Sequence, residues 1–360
     1  MNVAVTAVRP AYRPWLHRYC VLLAAATFVL VLAGGQVTSH GAGLSVPDWP
    51  TSYGYNLFTF PPSQWVGNIF YEHTHRLIAS TVGLLTMGMV VWLFVREPRR
   101  WLRRLGAVAL VAVVLQGVLG GLTVLFLLPV PISVAHACLG QAFFCLVASI
   151  ALFTSRGWIH AAAPLPQPAG PGLRGLSAAC VAVVFGQLLL GAIMRHTGSG
   201  LAVPDFPTAY GQWLPALDEA SVASYNEQRR WDLGGLPQIE RSQIVWHLLH
   251  RAGAVVAAAF LALTVGAVLA GGRRVAGLAG PALLLALLLP AQIVLGALTV
   301  LSQRWPIMAS AHVAVGALML ATCVLLSLRC RRLLAQSEQS VRTTDGPARE
   351  RMVPVPEGAA

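Results

Sequence analysis

Eight long apolar stretches constrain this chain more than any other feature of its sequence. A helix needs about 20 apolar residues to cross a hydrocarbon core of about 30 Å. The predicted spans lie near Arg18–Val37, Val66–Phe94, Leu105–Leu127, Ile132–Thr154, Leu176–Met194, Ile244–Ala270, Val275–Leu301 and Ile307–Leu328. Charged residues make up only 11% of the chain, whereas a soluble domain has about a quarter of its residues charged. We therefore predict an all-α polytopic membrane protein with eight transmembrane helices and exclude a soluble enzyme.

The basic residues predict the orientation of these spans in a cell (inner) membrane. All 25 are arginine, and clusters of them precede the first span and follow the second, fourth, sixth and eighth. By the positive-inside rule these segments and both termini are cytoplasmic. One outer loop, residues 195–243, is an exception because it contains Arg195, Arg229, Arg230 and Arg241. The net charge of +12 thus reflects topology and lipid contact, and we expect no nucleic-acid partner.

An internal repeat divides the chain. Residues 41–54 (GAGLSVPDWPTSYG) match residues 198–211 (GSGLAVPDFPTAYG) at ten of fourteen positions. Further repeated pairs are His75-Arg76 with His250-Arg251, Gln116 with Gln292, and Ala135-His136 with Ala311-His312. Each half has four spans and one long outer loop, and the second loop carries an insertion between Trp213 and Gln243. An even number of spans returns the chain to the side of the membrane from which it started, so both halves have the same orientation. We therefore predict two parallel-repeat four-helix bundles, unlike the inverted repeats of many transporters.

The repeat sets the predicted domain boundaries. The segments are a cytoplasmic N-terminus (1–17), a first four-helix bundle (18–154), a cytoplasmic linker (155–175), a second four-helix bundle (176–328) and a disordered cytoplasmic tail (329–360). The six cysteines lie in spans or at their cytoplasmic ends, so we interpret them as small apolar fillers.

Four histidines recur within the spans, namely His75, His136, His250 and His312. Ionisable residues inside a membrane are costly and are candidates for function. Two neutral imidazoles facing each other across an apolar bundle suit axial ligation of a haem iron. A single membrane histidine is more simply explained by a helix-to-helix hydrogen bond, but two repeated pairs favour two haem sites. Zinc is disfavoured because neither half has a cysteine or carboxylate cluster to complete four ligands.

The residue three positions before the first histidine of each pair differs between the halves. Glu72 precedes His75, and His247 precedes His250, on the same helix face in each case. A carboxylate beside a bound ligand suggests chemistry in the first half, while a second imidazole suggests a supporting site. His73 lies on another face from His75 and is interpreted as a packing or interfacial residue.

Two arginines, Arg76 and Arg251, directly follow the first histidine of each pair. Two interpretations remain open for them: a snorkelling cation or partner of nearby acidic residues, and a bidentate partner of haem propionates. The repeated loops contain Asp48 and Asp205 among fixed Pro and Gly turns. We expect each loop to form a folded lid over its outer site.

The Glu72-x-x-His75-Arg76 motif, the doubled loop and the paired histidines closely resemble the haem A synthase family over about Arg18–Leu328. The resemblance implies two-step oxidation of one methyl group of haem O to a formyl group, with water and an external electron acceptor, to give haem A for cytochrome oxidase. It implies that Glu72 is catalytic, that His75 and His136 are axial ligands of the substrate haem O, and that His250 and His312 ligate one haem B cofactor. His247 would support that second site.

The same resemblance implies partners and a subgroup. Haem O synthase (protohaem farnesyltransferase) and the assembly of cytochrome oxidase are implied as partners, while the electron acceptor, the oxygen source and a homo-oligomer stay open. The outer loops contain no cysteine pair, so the chain resembles the cysteine-free branch of the family. The alternatives are a bis-histidine membrane b-type cytochrome that relays electrons, a haem or lipid transporter, and a structural assembly factor.

Overall fold

A computed structural model describes residues 11–160, 172–231, 236–271 and 277–344, with side chains as far as residue 332. The helices are α1 (Pro14–Ser39), α2 (Asn68–Arg96), α3 (Arg100–Leu125), α4 (Val130–Thr154), α5 (Arg156–Ile159), α6 (Gly172–His196), α7 (Glu219–Trp231), α8 (Arg241–Ala270), α9 (Ala279–Leu301) and α10 (Pro306–Thr344). Eight of them are long and apolar enough to cross a membrane, which confirms the eight predicted spans. Such helices satisfy their backbone hydrogen bonds internally, as lipid requires. The protein is a multi-pass integral membrane protein.

The observed helix ends differ from the predicted spans: α2 and α9 begin a few residues later than predicted, α3 ends two residues earlier, and most other ends extend further. Pro14 begins α1 and Pro131 lies in the first turn of α4, where the missing N–H of proline leaves no bond unmade. The last helix, α10, continues to Thr344. The predicted segments also cover residues 1–10, 161–171, 232–235, 272–276 and 345–360, which lie outside the described residues.

The helices pack as two groups of four. In the first group α1 contacts α2 and α4, and α3 contacts the same two helices; α6, α8, α9 and α10 contact one another in the equivalent way. Between the groups, α10 contacts α1 and α4, and α4 contacts α6. The central helices are therefore α4 and α10, of whose apolar windows 67% and 56% are buried, against 17% to 28% for the other six spans. These two helices carry His136 and His312.

The turn that joins α3 to α4 has the same geometry as the turn that joins α9 to α10. The residues with positive φ are Leu127 (57°), Leu128 (61°), Gln303 (52°) and Arg304 (68°). The amides of Leu128 and Arg304 each donate to a threonine carbonyl five residues earlier, at 2.7 Å. A left-handed backbone at a non-glycine residue is uncommon, so its recurrence shows the same chain path in both halves. The parallel arrangement in the membrane and the orientation of the termini stay predictions.

The insertion in the second outer loop contains the helix α7. Tyr225 of α7 stacks on the loop residue Tyr210 with ring centroids 3.9 Å apart. Arg229 is buried and donates to the carbonyls of Leu201 and Pro237 at 2.7 and 2.8 Å. The insertion therefore packs on the repeated loop of the second half.

Candidate functional site

Each of the four repeated histidines packs its ring against a glycine of a neighbouring helix. The pairs are His75 with Gly34 of α1, His136 with Gly120 of α3, His250 with Gly191 of α6, and His312 with Gly296 of α9. A Cβ atom at any of these glycines would lie 3.0 to 3.1 Å from the imidazole Cε1 atom, closer than ordinary van der Waals contact. The four glycines therefore make room for the four rings.

The structure brings the histidines together in the predicted pairs. His75 on α2 and His136 on α4 are close enough to interact electrostatically, and so are His250 on α8 and His312 on α10. Each pair thus has one histidine on the second and one on the fourth membrane helix of its half.

Glutamine side chains contact three of the four histidines. Gln116 Nε2 donates to the His136 carbonyl at 2.9 Å, and Gln292 Nε2 lies 3.4 Å from His312 Nε2. Gln187 Nε2 lies 3.1 Å from His250 Nδ1 and donates to the His250 carbonyl at 2.9 Å. The offset between the two loop motifs also relates Gln187 of the second half to Leu30 of the first. A leucine side chain cannot make this hydrogen bond, so the first half lacks the contact.

The histidine environments fit a haem iron. The Nδ1 atoms of His75, His136 and His312 are buried and have no hydrogen-bond partner in the described part of the chain. A porphyrin supplies the equatorial nitrogens, so the protein needs to provide only two axial ligands. No cluster of three or more His, Cys, Asp or Glu residues that could hold a metal occurs within the described ranges. The donor set is therefore one that suits an iron porphyrin better than a protein-only zinc site.

Glu72 and His247 occupy equivalent places beside the two sites. Glu72 is 3% exposed, and its carboxylate accepts from the Val46 N–H at 2.8 Å and from Arg76 at 2.7 Å. His247 Nδ1 lies 3.4 Å from the N–H of Val203, the residue equivalent to Val46, and 3.0 Å from the Ser199 carbonyl. Both residues thus link their helix to the outer loop, but only the first half has a carboxylate there.

Arg76 and Arg251 each donate side-chain hydrogen bonds to backbone carbonyls of the outer loop in their half. Arg76 donates to the carbonyls of Val46, Asp48 and Thr51 at 2.7 to 2.9 Å. Arg251 donates to the carbonyls of Thr208 and Asp205 at 2.7 and 2.5 Å. Because their terminal nitrogens are engaged in this way, the geometry favours a supporting role over propionate binding for both arginines.

The two repeated loops have the same internal hydrogen bonds. The Asp48 carboxylate accepts from Thr51 Oγ1, the Tyr53 N–H and the Gly54 N–H at 2.5 to 2.9 Å. The Asp205 carboxylate accepts from Thr208, Tyr210 and Gly211 in the same way. Burial acts to raise the pKa of both aspartates, but these hydrogen bonds outweigh it and hold each pKa below its ordinary value.

The first loop reaches the wall of the first site. The Trp49 indole packs on Gly121 of α3, where a Cβ atom would lie 2.5 to 2.8 Å from ring carbons. Gly121 directly follows Gly120, against which His136 packs. The second half has Phe206 and Ala297 at these two positions, a smaller ring and a larger helix residue. These contacts agree with the predicted lid.

His73 packs under the first loop and away from the histidine pair. It is fully buried, its Nδ1 atom lies 3.1 Å from Ser52 Oγ, and its ring lies against Phe60 and Trp65 with centroids 4.7 and 4.8 Å apart. This agrees with its interpretation as a packing residue.

Sequence reasoning missed several residues around the sites. The glycines and Gln187 were not recognised, although the glycines recur at the spacing of the repeat. Gln116 and Gln292 were noted only as part of the repeat. Arg195 was noted only as an exception to the charge rule, and the structure places it between the two halves.

Fold and site together define a multi-pass membrane protein with two equivalent histidine pairs, each beneath a folded outer loop. A family model described as COX15-CtaA, cytochrome oxidase assembly protein, matches residues 17–324. The chain belongs to this family.

Three relatives named heme A synthase illustrate the similarity. The protein from Rhizorhabdus wittichii is 28% identical, with 89% of this chain and 96% of the relative covered. The protein from Rhodopseudomonas palustris is also 28% identical, with 96% and 97% covered. The protein from Symbiobacterium thermophilum is 32% identical over a shorter region, 54% of this chain and 63% of the relative.

Proposed function

We propose that this protein is a haem A synthase that converts a methyl group of haem O to a formyl group. The observation that carries the proposal is the asymmetry of the two otherwise equivalent sites: both have a histidine pair, but Glu72 of the first half is replaced by His247 in the second. A pure electron relay has no need of this difference. Membership of a cytochrome oxidase assembly family and relatives named heme A synthase support the same conclusion.

The two halves divide the work. His75 and His136 ligate the substrate haem O, and His250 and His312 hold one haem B cofactor. When bound, haem B supplies a reversible carrier of single electrons.

The overall change balances with one water and an electron acceptor. Conversion of a methyl to a formyl group takes its oxygen from water and releases four protons and four electrons, in two steps of two electrons each. The electrons leave to an external acceptor. Haem O synthase supplies the substrate, and cytochrome oxidase assembly consumes the product.

Glu72 serves this reaction as the acid–base residue. Its carboxylate is held by Val46 and Arg76, and it lies one helical turn before His75. We assign it to orienting water or accepting a proton beside the substrate. Arg76 and Arg251 keep the two loops closed over their sites, and His247 takes the place of Glu72 as a loop anchor in the second half.

Supplying haem O tests the proposal. Membranes that contain the protein, from cells making haem O but no haem A, are expected to form haem A, detected by chromatography of extracted haems. His75→Ala and His136→Ala are expected to abolish the product, whereas His160→Gln, at an exposed position on the opposite side, leaves it unchanged. Absence of haem A with the wild-type protein, or its persistence in both histidine variants, would contradict the proposal.

A further inference from the structure

One arginine lies between the two halves at the outer end of the membrane helices. Arg195 is in the last turn of α6, and the spacing of the two loops places Thr38 at the equivalent position of the first half. Like Arg229, Arg230, Arg241 and Arg304, it lies on the side that the charge rule predicts to be poor in arginine. It therefore calls for a local explanation.

The contacts of Arg195 join the first half to the second. Its Nη2 atom donates to the Gly35 carbonyl at 3.0 Å and to Ser39 Oγ at 2.7 Å, both on α1. Ser39 Oγ in turn lies 3.0 Å from Ser310 Oγ on α10. We call Gly35, Ser39, Arg195 and Ser310 the seam cluster.

The seam cluster lies beside both histidine sites. Gly35 directly follows Gly34, against which His75 packs. Ser310 is two residues before His312, and Arg195 interacts electrostatically with the His312 ring. The guanidinium of Arg195 is thus held next to the ligand helix of the second site.

The charge of Arg195 has no anionic partner in the described part of the chain. The ion pairs there are Arg76 with Glu72 and Arg99 with Glu97. Arg195 Nε is buried and has no hydrogen-bond partner, and the nearby Arg304 adds a second positive charge. A cation withdrawn from water beside another cation is unfavourable unless an anion approaches it.

We propose that Arg195 binds a propionate carboxylate of the haem that His250 and His312 hold. The inference rests on the proposed function, which places a haem at these histidines. A guanidinium donates strong, charge-assisted hydrogen bonds to a carboxylate, and the buried Arg195 Nε has no partner in the described part of the chain. Arg251, another arginine close to this site, uses its terminal nitrogens for loop carbonyls. Arg195 is accordingly the residue that sets the preference of this site for a porphyrin with free carboxylates.

A chemical double-mutant cycle tests the proposal. Full-length protein depleted of haem is titrated with protohaem or with protohaem dimethyl ester, which lacks free carboxylates, and binding is followed by absorbance. All proteins carry His75→Ala, so that only the second site is measured. A hydrogen bond to a charged group predicts that the Arg195 protein binds protohaem about 10- to 100-fold more tightly than the ester.

The variants separate charge recognition from structural damage. Arg195→Gln is expected to abolish the preference for protohaem while leaving ester affinity unchanged, and Arg195→Lys to give an intermediate preference. Arg241→Gln, at an exposed outer position, is the matched control and keeps the full preference. Ser39→Ala, which removes one hydrogen-bond partner of Arg195 but no charge, is expected to reduce the preference.

The outcomes distinguish the two proposals. An undiminished preference for protohaem in Arg195→Gln, or an equal loss of affinity for both porphyrins, overturns the role of Arg195 and leaves the haem site intact. If the protein with Arg195 present binds neither porphyrin, while His250 and His312 are unchanged, the proposed haem site itself fails.

Discussion

Glu72 and His247 show how one side chain can distinguish two sites built on the same plan. Both contact the backbone N–H of an equivalent loop valine, and both lie one turn before a paired histidine. Only Glu72 is a carboxylate able to accept a proton while holding the loop. The difference in chemistry between the halves is therefore assigned to this position.

Replacing Glu72 by Gln tests the assignment. The amide oxygen can still accept from the Val46 N–H, so the loop and haem content are expected to persist. Haem A formation is expected to fall about 10²- to 10⁴-fold, the usual contribution of a general acid or base. The matched control is His247→Gln, which is expected to retain most of the activity. Haem A at the wild-type rate in Glu72→Gln would refute the catalytic role.

The glycines beside the histidines make a second prediction at this scale. Gly120→Ala places a methyl group 3.1 Å from the His136 Cε1 atom, so the ring must shift. We expect loss of haem from the first site, because overpacking costs about 1–3 kcal/mol and displaces the ligand. Gly117→Ala, in the same helix, meets nothing within 4 Å and is the control. Equal haem content in both variants, measured by absorbance per protein, would show that the close contact has no consequence.

At the scale of elements, specific contacts hold the repeated outer loops against the helices. Gly121→Ala is expected to push the Trp49 ring off α3 and to lower haem A formation, because a Cβ atom would overlap that ring. The double variant Gly121→Ala with Trp49→Phe copies the Phe206 and Ala297 pair of the second half. We expect it to restore activity relative to Gly121→Ala. Failure of the rescue would mean that the loop is not held by this contact.

The loop aspartates predict a pH dependence of stability. The pKa of Asp48 is lowered in the folded loop, so its stabilising effect is complete above the ordinary aspartate pKa of about 3.9 and is lost as pH falls through the lower folded value. Asp48→Asn is therefore expected to lower the Tm in detergent at pH 7, and this difference is expected to shrink with acidification below about pH 4. Glu219→Gln, at an exposed position, controls for loss of one carboxylate. A pH-independent difference for Asp48→Asn would contradict this explanation.

At the scale of the whole molecule, sequence patterns predicted most of the fold and the ligand candidates. Span length and the repeat identified the eight helices and the four histidines, because lipid imposes a strong rule on composition. The turn at Leu127 and Leu128 was not foreseen, since no glycine signals its left-handed backbone. The contacts of Arg195 and Gln187 were also missed, because each contact joins distant helices and neither residue has a counterpart in the other half.

The arrangement of α4 and α10 places the two histidine pairs on either side of one helix contact. Each of these central helices carries one histidine of a pair, and they contact each other across the interface of the halves. The seam cluster adjoins this interface on α1, α6 and α10. The sites therefore occupy neighbouring positions in one packed unit, as the proposed division between substrate and cofactor requires.

Chromatography of the haems extracted from purified variants tests this division most directly. With haem O supplied, the wild-type protein is expected to hold haem B together with haem O or haem A. A variant with His75→Ala and His136→Ala is expected to keep haem B and lose the other haems, and a variant with His250→Ala and His312→Ala is expected to lose haem B. Haem B as the only haem in the wild-type protein, or loss of the same haem from both variants, would contradict the account.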